Sequence, residues 1–241
     1  MQRSVRLGVL TPSSNTVLEP VTSAIVATLP GVSAHFSRFR VTEISSQSRS
    51  TEQFGDEPVL GAARLLADAC VDAIVWSGTS AGWLGIERDA ALIRAIEADT
   101  GIRAGAAVTA IDALLERLSA TRIGLVTPYL ADVQARIIEN WAARGIACVA
   151  ERHLDMSVNV EFATVPAARI ESMIEAVASE GVDAVVVLCT NLDGAQAAVR
   201  AEKALGLPVI DSTAAAVWGG LRLTGAPAHR IDGWGRLFSV R

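Results

Sequence analysis

The stretch at 182–194, VDAVVVLCTNLDG, decides the fold, because VDAIVWSGTSAG at 71–82 nearly repeats it. Each copy opens on Val-Asp, continues through a short apolar run, and ends in a loop of hydroxyl, amide and glycine residues. Such runs, bounded by turn formers, read as strands buried on both faces of a parallel sheet. A second pair points the same way: RLGVLTP at 6–12 returns as RIGLVTP at 122–128. The two offsets, 111 and 116, are nearly equal and the pairs keep their order, which marks an internal repeat. Two unrelated sheet-core runs would share apolar residues, but the polar loop residues repeat as well. In the later copy Cys189 falls on the position that Gly78 holds in the earlier one.

Outward from these pairs, short Val/Ile-rich runs alternate with longer Ala/Leu/Glu/Arg segments at helical spacing. The pattern predicts strands over 5–10, 34–41, 73–76, 123–126, 147–152, 184–188 and 208–210. It predicts helices over 16–28, 59–70, 88–100, 108–119, 131–143, 167–180, 194–205 and 214–223. The expected fold is α/β, with two pseudo-symmetric lobes, each a mostly parallel sheet flanked by helices. The first lobe spans 1–109 and the second 110–208, with 110–119 crossing between them and the tail 209–241 returning to the first. Ligands of parallel sheets bind beyond the carboxyl ends of the strands. Four loops, TPSSN at 11–15, SGTSAG at 77–82, TPYLAD at 127–132 and CTNLDG at 189–194, would therefore meet in the cleft between lobes.

Composition narrows the partners. Of 241 residues, 51% are apolar and 20% charged, enough to bury a core, and the net charge of −5 comes without a basic run. Nucleic acid is therefore not the expected partner. No window of 18 apolar residues appears, and the N-terminus lacks a signal-peptide apolar region, so a cytoplasmic protein away from membranes is expected. Three cysteines without CxxC spacing and three histidines argue against a disulfide framework or a zinc site. No glycine-rich phosphate loop is present. The expected partner is a small molecule, and no cofactor or metal is expected. The apolar segment AAAVWGGLRL at 214–223 packs either between lobes or between subunits, which leaves a homo-oligomer open.

The candidate chemistry lies in the four loops. Cys189 ends a buried strand, followed by Thr190 and Asn191; a buried free cysteine is most often a small hydrophobe, but its place at a strand end beside polar residues points to catalysis. Cys70, on the apolar face of a helix, and Cys148, within a strand, read as packing residues. Gly78, Thr79 and Ser80 offer two hydroxyls beside a glycine, a cradle for a carboxylate or oxyanion, or equally a strand-to-helix turn. Ser13, Ser14 and Asn15 carry the same two readings. Tyr129, the chain's one tyrosine, enters the equivalent loop of the second lobe. None of His35, His153 and His229 lies in a motif loop, so no Ser–His–Asp arrangement arises.

The repeat, with VLTPSSN early, GLVTPY at mid-chain, LCTNL late and GRLF at 235–238, resembles the Asp/Glu racemase superfamily. Within it, the similarity is to the branch of maleate cis–trans isomerases and arylmalonate decarboxylases, over nearly the whole chain. The resemblance implies a cofactor-free enzyme. Racemases of this superfamily use one cysteine per lobe, on opposite faces of the substrate carbon. Gly78 stands where the first would be, which disfavours two-base racemisation. GTS with a single second-lobe cysteine looks like arylmalonate decarboxylase, where one carboxylate leaves as carbon dioxide, the other sits in a dioxyanion hole, and the thiol protonates the enediolate. Carried over, this implies Cys189 as the acid, Thr79, Ser80 and Tyr129 as holders of the retained carboxylate, and open space over Gly78. Thr190 and Asn191 depart from the decarboxylase's Cys-Gly-Gly run and look more like the isomerases. Asn15 and Asn159, the latter in SVNVEF, match amides that bind carboxylates there. The leading reading is a decarboxylase of a substituted malonate or similar small dicarboxylic acid. A maleate-type cis–trans isomerase is the alternative, and a non-catalytic small-acid binding protein a second one.

Overall fold

The computed structural model describes residues 4–44 and 56–240. The first sheet is built from β1 (Val5–Pro12), β2 (Val32–Phe39), β3 (Ala73–Trp76) and β4 (Ala104–Ala106) in the order β2-β1-β3-β4. Helices α1 (Leu18–Val26), α2 (Asp56–Asp68), α3 (Ala81–Leu84) and α4 (Ile86–Thr100) connect its strands, and α5 (Ala107–Arg117) leaves it. The second sheet repeats the arrangement with β5 (Arg122–Val126), β6 (Ala147–Arg152), β7 (Ala184–Val187) and β8 (Val209–Asp211) in the order β6-β5-β7-β8. Its helices are α6 (Ala131–Ala142), α7 (Ala167–Ala178), α8 (Ala195–Leu205) and α9 (Ser212–Thr224). Every strand pair within the sheets is parallel.

The strand order explains why the loops converge. The chain leaves β1 in one direction to β2 and returns to its other side for β3, and it does the same around β5. Each lobe thus has a switch point between two central strands, and a crevice opens there at their carboxyl ends. The repeated Val-Asp plays the same structural part in both lobes. Asp72 Oδ2 accepts the backbone N–H of Arg6 at 2.8 Å, and Asp183 Oδ2 accepts those of Thr121 and Arg122 at 2.9 and 2.8 Å. The aspartate before the third strand therefore anchors the start of the first.

Several expectations shift. The short strand β4 and the four-residue helix α3 (AGWL) carried no periodic signal; the Ala-Gly-Ala of β4 is held by its ladder with β3 rather than by propensity. The tail divides: Val209–Asp211 pairs with β7 and completes the second sheet, and only from Ser212 does the chain return to the first lobe. Residues 110–119 do not form a crossing of their own, because α5 begins at Ala107, directly from β4. Cys70 is not a packing residue. Helix α2 ends at Asp68, and Cys70 is exposed with φ of 51° in the turn beyond it. Cys148 is half-buried within β6, as its position suggested.

Helix α9 crosses between lobes. Asp211 caps its start, with Oδ1 accepting the N–H groups of Thr213 and Ala214 at 2.9 Å each. The helix lies on β1 and β3, and its two glycines permit the approach: a Cβ on Gly220 would stand 2.6 Å from both Leu7 Cδ1 and Val75 Cγ2. Gly219 meets Ala110 of α5 in the same way, at 2.9 Å. Both side chains facing Gly220 belong to the core and have nowhere to retreat. Replacing Gly220 by Val should therefore lower unfolding free energy in urea by about 1–3 kcal/mol; an unchanged midpoint would contradict this packing.

Candidate active site

The four loops meet as the repeat requires. Gly78, Thr79, Ser80, Tyr129, Asn159, Cys189 and Thr190 line one cavity between the lobes, together with Pro12, Val41, Ile44, Trp76 and Trp83. The cavity is narrow: ≈ 20 Å³ is open to the centre of a water molecule, room for one or two waters. A dicarboxylic acid enters only if its walls move. Among the described residues that line it there is no lysine, arginine or histidine, and the polar groups these residues offer an anion are neutral dipoles.

Tyr129, Thr79, Cys189, Thr190 and Asn159 are each held by a named partner. Tyr129 is buried, its ring held edge-on by Trp83 and Phe162 at centroid distances of 5.2 and 5.7 Å. Its hydroxyl pairs with Thr79 Oγ1 at 2.7 Å across the lobes, and Tyr129 and Cys189 line the same cavity. The Asn191 backbone N–H donates to Cys189 Sγ at 3.4 Å. Thr190 Oγ1 donates to the Ser77 carbonyl at 3.1 Å and accepts Asn15 Nδ2 at 3.2 Å.

The amides are placed differently from the expectation that they reach a ligand. Asn15 and Asn191 do not line the cavity. Asn15 Oδ1 caps α1 through the N–H groups of Val17 and Leu18, at 2.9 Å each. Asn191 spans the lobes, accepting the Thr16 N–H at 2.9 Å and donating to the Asn159 carbonyl at 2.6 Å. Asn159 does reach the cavity, but its Nδ2 donates to Ser14 Oγ at 2.7 Å. The amides thus join the lobes rather than stand free. Segment 41–44 reinforces the join, with Ile44 N–H on the Ser157 carbonyl at 2.9 Å and Asn159 N–H on the Thr42 carbonyl at 3.2 Å.

Sequence reasoning overlooked the apolar walls. Val41 and Ile44 follow β2 without any motif, and Trp83 sits in α3, which left no periodic trace. The histidines stay away from the site: His35 bonds Ser33, and His153 pairs with Glu151 and Asp155. Among the described residues, no cluster of three or more His, Cys, Asp or Glu side chains could hold a metal ion, and no helix is long and apolar enough to cross a membrane.

A family model described as arylmalonate decarboxylase matches residues 20–238. The chain belongs to that family. Among its relatives, the maleate isomerase of Nocardia farcinica (strain IFM 10152) is 26% identical over 249 residues, covering 96% of this chain and 94% of that protein. The arylmalonate decarboxylase of Bordetella bronchiseptica is 29% identical over 185 residues, covering 76% and 77%. The crystal structure of a Pseudomonas putida S16 maleate isomerase variant with maleate superposes with a TM-score of 0.87 over 99% of this chain and 98% of that one, at 24% identity. That likeness establishes the α/β two-sheet fold. The relatives are enzymes, and so is this member of the arylmalonate decarboxylase family.

The surroundings of the Cys189 thiol set its protonation state. Burial pushes Cys189 up to about 11, only partly offset by the Tyr129 hydroxyl and the N–H groups of Asn191 and Leu192. At neutral pH the group therefore rests as the thiol. Burial likewise holds the Tyr129 phenol well above its usual range, so it stays a donor. A raised thiol pKa means the folded state keeps its proton longer than the unfolded chain. The associated stability is therefore full below the unfolded value of about 8.5 and is lost as pH rises through about 11. In a Cys70→Ser/Cys148→Ser background, thiolate absorbance of Cys189 should rise with a midpoint near pH 11. A midpoint at or below the ordinary thiol value would refute the buried-thiol description.

Proposed function

We propose that the protein is a cofactor-independent decarboxylase of a substituted malonate or similar small dicarboxylic acid. The observation that carries this reading is that Cys189 is the one cysteine lining the cavity, with Gly78 at the matching position of the first lobe. Thr79, Ser80 and Tyr129, with backbone N–H groups of their loops, hold the retained carboxylate. The other carboxylate lies against apolar walls such as Val41 and Ile44, where an anion is poorly solvated and its loss is favoured. The bond between the α-carbon and that carboxylate breaks. Its electron pair stays on the α-carbon and delocalises into the retained carboxylate as an enediolate, and carbon dioxide departs. The added negative charge falls on oxygens facing preorganised hydroxyl donors. The Cys189 thiol then gives its proton to the α-carbon, and the resulting thiolate is reprotonated from solvent.

A thiol pushed up to about 11 suits this role, because it must arrive protonated. The alternative, a maleate-type cis–trans isomerase, would use Cys189 itself as the attacking thiolate, and the same burial works against it. That alternative draws support from Asn159, an amide donor at the cavity wall, and from the Cys-Thr-Asn run.

One panel separates the readings. With phenylmalonate, methylmalonate and maleate, carbon dioxide release should appear with a malonate and fall by about 10²–10⁴ in Cys189→Ala, the usual worth of a positioned acid. Tyr129→Phe, which removes one donor from the enediolate, should lower kcat by about 10²–10³. Conversion of maleate to fumarate without gas would instead make it an isomerase.

A further inference from the structure

The space over Gly78 was expected to be open, and it is filled. Trp76 precedes Gly78 by two residues at the end of β3, so their Cα–Cβ directions share one side of the chain. The indole runs past the strand end and lies on the glycine: a Cβ at position 78 would stand 2.0 Å from Trp76 Cζ2, 2.4 Å from Cη2 and 2.5 Å from Cε2. No real Cβ tolerates such distances from ring carbons. Phe39 backs the indole, with ring centroids 5.1 Å apart, and Trp76 is 2% exposed, so the ring has little freedom while the cavity is closed. The second lobe makes the opposite choice. By the internal repeat, Trp76 corresponds to Val187 and Gly78 to Cys189. A short branched residue two positions earlier accompanies the thiol, whereas the bulky indole accompanies the bare glycine.

Resting on the decarboxylase reading above, we propose that Trp76 is the specificity-determining residue of the site. Its six-membered ring takes up the volume of one phenyl group on the wall at Gly78, and it restricts the enzyme to malonates whose α-substituent is small and aliphatic. With the ring in place, ≈ 20 Å³ is open to a water centre. A dicarboxylic acid enters only when the walls move, and an aryl substituent then competes for the space the indole holds. The indole also forms a fixed apolar surface on that wall, where a first-lobe thiol would need Trp76 to be replaced first.

The test compares methylmalonate with phenylmalonate in wild type, Trp76→Val and Trp76→Phe. Wild type should favour methylmalonate in kcat/KM, and Trp76→Val should shift the ratio toward phenylmalonate by at least about tenfold, the scale on which apolar pocket volume discriminates. Wild type turning over phenylmalonate as readily as methylmalonate, or a ratio unmoved by both variants, would overturn the proposal. Calorimetric binding of the two acids to the same variants carrying Cys189→Ala separates this claim from the reaction assignment. If the binding ratio shifts although nothing decarboxylates any malonate, Trp76 is still the size filter and the decarboxylase reading alone falls. An unmoved binding ratio sinks the filter even if carbon dioxide is released. Packing gives a readout independent of substrate: Gly78→Ala should lower the melting temperature, and Trp76→Val should suppress most of that loss in the double variant. Additive losses would show that the ring does not occupy the glycine's space.

Discussion

The site depends on a polar seam that ties the two lobes together across their strand ends. The Tyr129–Thr79 hydrogen bond lies at its centre, and the bonds from Asn15, Asn191, Asn159 and Thr190 run beside it. All of these groups are buried or nearly so, and a buried polar group left without a partner costs about 1–3 kcal/mol. The seam is thus satisfied only when both lobes are in register, and that register brings a second-lobe thiol to face a first-lobe glycine. On the proposed function, a substrate that opens the cleft exchanges some of these bonds for bonds to the ligand. Hydroxyls and amides suit that exchange, since each can switch partners without acquiring charge.

Much of this arrangement was legible in the chain because every part of the repeat has a physical reason to recur. The aspartate of Val-Asp anchors a neighbouring strand start, the apolar run fills a two-faced sheet, and the polar loop reaches the crevice. Cys189, Tyr129, Thr79 and Ser80 could be grouped for that reason. What stayed hidden depended on tertiary context. Strand β4 consists of alanine and glycine, which have no strand preference, and exists because β3 offers it a ladder. Asn15 and Asn191 have the composition of ligand-binding amides, and only their geometry reveals that they serve a helix cap and the seam. The filled space over Gly78 was unreadable because it depends on the direction taken by one indole.

Glycine and cysteine at matching positions are therefore only half of the asymmetry between lobes. The other half is the exchange of tryptophan for valine two residues earlier, which keeps each side of the cleft close-packed. A divergence of this kind changes chemistry and shape together. The thiol cannot be restored to the first lobe by one substitution without displacing a ring that Phe39 holds from behind.

Helix α9 adds a constraint of a different kind. The first sheet is complete in sequence by Ala106, yet the face formed by Leu7 and Val75 is covered only when the segment beginning at Ser212 docks on it. During synthesis on the ribosome, Leu7 and Val75 therefore lack this cover until residues 212–224 have emerged. Such long-range closure slows folding and leaves sticky surface open to chaperones or to misassembly in the meantime. The two halves look like independent duplicates, but this final strap commits them to mature as one unit.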